Sequence, residues 1–170
     1  MQNELYVLSP KNDSDSRMKL VQALKELPSL TKEEIDEFLK VPRLMRLAVL
    51  DARGEPNVTP VWYLWENDKF YITSQTDKKK YSDVQRNQRV GFSIDIYEPE
   101  NEHLAKGVHG KGNAYIVHDR EEISSWDRKL IVRYTGNLEN PKAKQLLAIP
   151  NVCLIVIEPT QLGTWDSSKV

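Results

Sequence analysis

At Arg46 the spacing of apolar residues drops from about 3.6 to about 2, the change from a helix that buries one face to strands whose side chains alternate between two. The segments "RLAVL", "VTPVWYLW" and "FYITS" then follow closely, separated only by the turn-rich "DARGEPN" and "ENDK". Links this short join antiparallel strands, because a parallel pair needs a crossover of roughly a dozen residues. The spacing therefore predicts a three-stranded meander. Farther along, "RVGFSIDIY" sets Val90, Phe92, Ile94 and Ile96 on one face and Gly91, Ser93, Asp95 and Tyr97 on the other. "KGVHGKGNAYIVH" reads as a long, glycine-bearing strand and "NVCLIVIEP" as a buried one. Six strands with consecutive pairing, and helices that do not alternate with them, point to an α+β, mainly β chain built as an antiparallel barrel with packed helices.

The helices carry their own start and stop signals. Leu20, Val21, Leu24 and Leu27 share one face of a helix read from Ser16 to Leu27, which Pro28 ends. Thr31 and Glu34 form a capping box ahead of a short helix that buries Ile35, Phe38 and Leu39. A third helix is expected from Lys79 to about Asn87, with Asp77 as its N-cap. Asp119 and Glu122 make another capping box, followed by the stripe Ile123, Trp126, Leu130, Ile131 and Tyr134 and the terminator Gly136. Asn140 and Pro141 suit the N-cap and first position of a last short helix. The expected organisation is an N-terminal tail and extra helix over residues 1–28, then one barrel domain over residues 29–170.

A chain of 170 residues has the length of a single domain, and 39% hydrophobic residues set it apart from disordered sequences. Lys and Arg number 24 against 25 Asp and Glu, so no surface-wide affinity for nucleic acid or anionic lipid is expected, and any basic function must be local. The one cysteine, Cys153, lies in "VCLIVI" and reads as a small buried hydrophobe. The first residues have no apolar signal core and no run approaches the roughly 18 apolar residues of a membrane span, so a cytoplasmic protein with no membrane partner is expected. His103, His109 and His118 do not match zinc-site spacings, and no metal is expected. Gly107, Gly110 and Gly112 sit inside a strand with no helix behind them, which fits a bent barrel strand better than a phosphate loop. No nucleophile and base can be paired from sequence, so catalytic residues stay unassigned.

Against this background Lys78, Lys79 and Lys80 stand out, because they open a helix at the end where the macrodipole disfavours cations. A bound anion would reverse the sign of that effect. Thr73 and Ser74, closing the preceding strand, add hydroxyl donors, and the first helical amides add N–H groups: together these are the parts of a phosphate-monoester site. Pro60 lacks an amide hydrogen and belongs on an edge or bulge, with Trp62 and Tyr63 beside it, a place where backbone can meet a flat ring. The competing readings are a solvated charge run for the lysines and barrel packing for the tryptophans. A further alternative is a barrel that binds single-stranded nucleic acid, stacking bases on Trp62, Tyr63 and Tyr71; the near-zero net charge and single basic cluster count against it.

In order and spacing, "LTKEEIDEFLKVPRLMRLAVLDARGEPNVTPVWYLW", "FYITS", "KKKYSDVQRNQRVGFSID" and "GKGNAYIV" resemble the pyridoxamine 5′-phosphate oxidase-like flavin-binding split-barrel family over roughly residues 30–165. The resemblance implies an antiparallel split β-barrel, with residues 29–170 as its flavin-binding domain. It implies FMN, or a deazaflavin coenzyme in its place, in a groove at a homodimer interface, and an oxidoreductase acting on a small organic substrate. Carried onto this chain, it implies that Pro60, Val61 and Trp62 line the isoalloxazine ring and that Thr73 and Ser74 meet the ribityl phosphate. Lys79 and Lys80 would neutralise that phosphate, with Lys78 a lesser member, and Trp165 of "GTWDSS" would reach the flavin of the partner subunit. Two departures bear on this. Lys79-Lys80 stands where the family usually has Arg-Lys, which keeps the charge and loses the bidentate fork of arginine. The arginine-rich C-terminal segment of genuine pyridoxamine phosphate oxidases has no counterpart in "GTWDSSKV", so vitamer oxidation is not expected. A flavin or haem carrier that performs no turnover is the alternative.

Overall fold

The computed structural model describes residues 18–101 and 104–170. Eight strands form one sheet: β1 (Lys19–Gln22), β2 (Met45–Leu50), β3 (Pro56–Val61), β4 (Leu64–Glu66), β5 (Lys69–Gln75), β6 (Arg89–Glu98), β7 (Leu104–Val117) and β8 (Val152–Asp166). Packed around it are α1 (Lys32–Lys40), α2 (Lys79–Arg86), α3 (Arg120–Thr135) and α4 (Pro141–Leu147). The strand order β3-β2-β6-β7-β8-β5-β4 is antiparallel throughout and leaves β3 and β4 as its two ends. This is the α+β, mainly β split barrel that the sequence led us to expect.

Alternation decides what fills the interior. Val90, Phe92 and Ile94 of β6 are buried, as are Met45, Leu47 and Val49 of β2 and Ile155 and Ile157 of β8. Helix α1 adds Ile35, Phe38 and Leu39 to the same cluster. Its first turn has both halves of the capping box: the Glu34 amide donates to Thr31 Oγ1 at 3.3 Å and the Thr31 amide donates to Glu34 Oε2 at 2.7 Å. Asp119 caps α3 through the Glu122 amide at 2.8 Å, and Gly136 ends it with φ 90°, a conformation costly for residues bearing a Cβ.

Three local expectations are corrected. "VTPVWYLW", read as one strand of a meander, divides after Val61, so that β3 pairs with β2 at one end of the sheet and β4 pairs with β5 at the other. Tyr134 of α3 fixes the crossing. The Tyr63 amide donates to its hydroxyl at 3.2 Å, the hydroxyl donates to the Arg43 carbonyl at 2.6 Å, and the Trp62 ring stacks on the Tyr134 ring at 4.4 Å. Tertiary contact thus overrides a local period of 2.

The helix expected over Ser16–Leu27 does not form in its described part; Ser16 and Arg17 lie outside the described residues. Lys19–Gln22 instead pair in parallel with Gln161–Thr164 of β8. Strand β5 pairs with β8 only at Val152–Ile157, which leaves the rest of that edge to be hydrogen-bonded by β1. Leu20 and Leu24, which a helix would have turned inward, are each 45% exposed. Finally, the N-cap of α2 is Lys78, with no side-chain cap bond, and not Asp77.

Candidate functional site

Where the sheet is split, its two ends are bridged by Trp62 and Tyr63 and a cavity of about 360 Å³ opens. Pro60, Val61 and Trp62 form one wall, Thr73, Ser74 and Gln75 at the end of β5 form a second, and Lys78 and Lys80 stand at the start of α2. Asp127, Leu130 and Ile131 of α3 cover it, joined by Leu146, Ile149 and Val152. Pro60 lies on the end strand β3, opposite Arg46, where a missing amide hydrogen breaks no ladder. Seven of the nine positions singled out from sequence therefore meet in one cavity: Pro60, Val61, Trp62, Thr73, Ser74, Lys78 and Lys80.

The electrostatics of the cavity are unbalanced. Lys80 is half-buried and makes no hydrogen bond or ion pair with another described residue. Burial pushes its pKa down and the charge of Lys78 acts in the same direction, opposed by nearby Cys153. The first amides of α2 add to the positive field, since no side chain caps them. Asp77 is turned toward the ammonium of Lys78 at 3.7 Å, both side chains being exposed. Cys153 itself is buried, as the sequence predicts, and burial pushes its thiol pKa up, away from the reactive thiolate.

Lys79 and Trp165 are not part of this cavity. Successive helical residues point roughly 100° apart, so Lys79 turns away from its neighbours. Its ammonium lies 3.1 Å from Asp83 Oδ2 and 3.5 Å from Asp51 Oδ2, and the buried Asp83 also takes Arg86 at 3.3 Å. This lysine ties α2 to the barrel. Trp165 lies opposite Gly107 in the β7–β8 ladder, with its ring over the glycine in the space a Cβ would need, and edge-on to His109 at 5.8 Å.

Asp127 is the cavity residue that sequence reading missed. Burial pushes its carboxyl pKa up, against a hydrogen bond from Thr73 and the charge of Arg128. The signal was present: Asp127 falls four residues after Ile123 and four before Ile131, a carboxylate inside an apolar stripe. Leu146, Ile149 and Val152 carried no such mark, because Leu146 and Ile149 reach the cavity through the packing of α4 and the turn after it beside α3, and Val152 through the pairing of β8 with Gln75 of β5. Among the described residues no cluster of His, Cys, Asp and Glu could hold a metal ion; His103 lies outside them. No described helix is long and apolar enough to cross a membrane.

The sequence matches the family model for pyridoxamine 5′-phosphate oxidase over residues 31–166, most of the chain, and the protein belongs to that family. No curated protein matches it. Among solved structures, the conserved hypothetical protein Rv2991 from Mycobacterium tuberculosis is similar at a TM-score of 0.72 and 21% identity, over 86% of this chain and 90% of that one. An F420 reductase is similar at a TM-score of 0.58 and 26% identity, over 75% of this chain and 94% of the other. The haem storage protein HutZ from Vibrio cholerae has a TM-score of 0.61 and 20% identity, over 79% and 94% respectively.

Proposed function

We propose that the cavity at the split of the barrel binds FMN and that the protein is a flavin-dependent oxidoreductase acting on a small organic substrate. The observation that carries this reading is Lys80, an ammonium group half-buried beside Lys78, two hydroxyls and uncapped helix amides, with no acceptor among the described residues. Such a charge is costly until an anion joins it, and a ribityl phosphate satisfies all of these donors at once. Lys78 and Lys80, with Thr73 and Ser74, hold the phosphate; Pro60, Val61 and Trp62 face the ring. Lys79 leaves the phosphate set and keeps the structural part described above. Trp165 reaches a flavin only by belonging to the other subunit of a homodimer, since it is absent from its own chain's cavity. The cofactor supplies the redox chemistry, and these residues bind and orient it.

Titration of FMN and riboflavin, followed by flavin fluorescence, tests the reading. Lys78→Ala/Lys80→Ala is expected to weaken FMN by at least about tenfold, roughly 1.4 kcal/mol, and to leave riboflavin unchanged. Lys79→Ala should hold FMN within about twofold of wild type, because Lys79 lies outside the cavity and Arg86 still pairs with Asp83. If the double variant binds FMN as wild type does, the phosphate lies elsewhere.

A deazaflavin coenzyme is the second reading, favoured by the likeness to an F420 reductase, and the visible spectrum of the purified protein distinguishes the two. The likeness to a haem storage protein favours a carrier. Reduction by a nicotinamide nucleotide, with and without an organic acceptor, separates carrier from catalyst.

A further inference from the structure

A second cavity, of about 610 Å³, adjoins the first across Asp127 and Val152, which line both. Its volume suits a small organic ligand, whose sites run to roughly 300–1,000 Å³. Its polar rim is Thr76, Tyr81, His118, Arg120, Ser124 and Arg128. Arg120 and Arg128 lie about two turns apart on α3, and neither makes a hydrogen bond or ion pair with another described residue. The side chain of Arg53, exposed in the turn after β2, is likewise unpaired among the described residues, whereas other arginines are held by partners. Arg46 is paired with Asp95 and Arg86 with Asp83, while Arg133 donates to the carbonyls of Leu39 and Val41. Two guanidinium groups facing one cavity against a single carboxylate, Asp127, leave an excess of positive charge that suits an oxyanion, since each guanidinium offers a planar fork of donors. The attraction does not come from the helix end, because Asp119 already caps α3.

We propose that this cavity is a second oxyanion site, taking a phosphate or carboxylate group on Arg120 and Arg128 with the hydroxyls of Thr76 and Ser124 as neutral donors. Asp127, half-buried between the two cavities, accepts a hydrogen bond from Thr73 on the side of the first and leaves two arginines to one carboxylate around the second. The oxyanion has two sources: a separate small molecule, or the far end of a cofactor longer than FMN whose near phosphate sits on Lys78 and Lys80. The site itself stands without the flavin reading.

The test uses inorganic pyrophosphate in a Lys78→Ala/Lys80→Ala background, which silences the first cradle. Calorimetry is expected to show binding there, and adding Arg120→Ala and Arg128→Ala to weaken it by about tenfold or more. Both arginines are exposed, so the fold should persist, with circular dichroism as the check. No binding in the background, or unchanged binding after the arginine substitutions, overturns the proposal. With the lysines intact, an arginine-dependent loss for FAD and not for FMN identifies the far end of an extended cofactor. Unchanged binding of both, with pyrophosphate binding lost, identifies a separate ligand. An equal loss for FMN merges the cavities into one site and also overturns the proposal.

Discussion

Lys79 and Lys80 are neighbours with opposite surroundings, one neutralised by Asp51 and Asp83, the other left without an acceptor. Sequence showed the charge cluster and not its division, because α2 begins at Lys79 as expected but which lysine meets Asp51 and which faces the cavity is set by how the helix packs on the barrel. Asp127 sits in the same cavity with the opposite sign. Its folded pKa lies above the usual value, so the neutral carboxyl favours the folded state at low pH, and that contribution is lost as pH rises through the folded pKa. At neutral pH the ionised group is a burden. Asp127→Asn is therefore expected to raise the melting temperature at pH 7. The gain over wild type should shrink on acidification and vanish below the unfolded value of 3.8. It should also tighten phosphate binding, since a negative charge beside the lysines is removed. A melting temperature that drops at pH 7 would mean that the carboxylate makes a contact worth more than its burial costs.

At the scale of elements, the local signals were read well and the distant ones were not. Capping at Thr31, Asp119 and Asn140 was legible because each cap and its amide lie within three residues, and the alternation of β6 because burial on one face imposes it. Strand β1 was not, since its pairing depends on an edge of β8 left open more than a hundred residues away. Nor was the break between β3 and β4, which Tyr134 fixes. The glycines of β7 belong to both groups. A bend was expected from sequence, and the structure shows a register shift between Lys111 and Gly112, where a Cβ on Gly112 would strike the backbone of Glu158 and Pro159. Backbone cannot swing aside as a side chain can, so Gly112→Ala is expected to cost about 1–3 kcal/mol. Gly91→Ala, whose Cβ would meet the Gly110 carbonyl at 3.7 Å and the Ala48 Cβ at 3.8 Å, should cost far less. Urea midpoints of the two variants measure the contrast, and equal midpoints would deny that the bulge depends on glycine.

The whole molecule raises a question of stoichiometry. The cavity with Lys78 and Lys80 and the indole of Trp165 belong to one chain but not to one site, and Trp165 lies half-buried on the β7–β8 face beside His109. A homodimer resolves this if each chain lends its tryptophan to the other's cavity, because a two-fold axis makes such an exchange reciprocal. Mixed dimers test the exchange directly. In a heterodimer of a Lys80→Ala chain with a Trp165→Ala chain, one site combines both defects. The other combines an intact cavity with an intact tryptophan. Each parental homodimer should bind FMN weakly, whereas the heterodimer, purified through two different affinity tags, should hold one FMN per dimer with wild-type affinity. If Trp165 acted within its own chain, or played no part in binding, both heterodimer sites or only the Lys80→Ala sites would be impaired. In the second case the Trp165→Ala homodimer would bind like wild type. The affinities of the three dimers, measured together, therefore distinguish a shared site, a private site and a tryptophan that merely packs on Gly107.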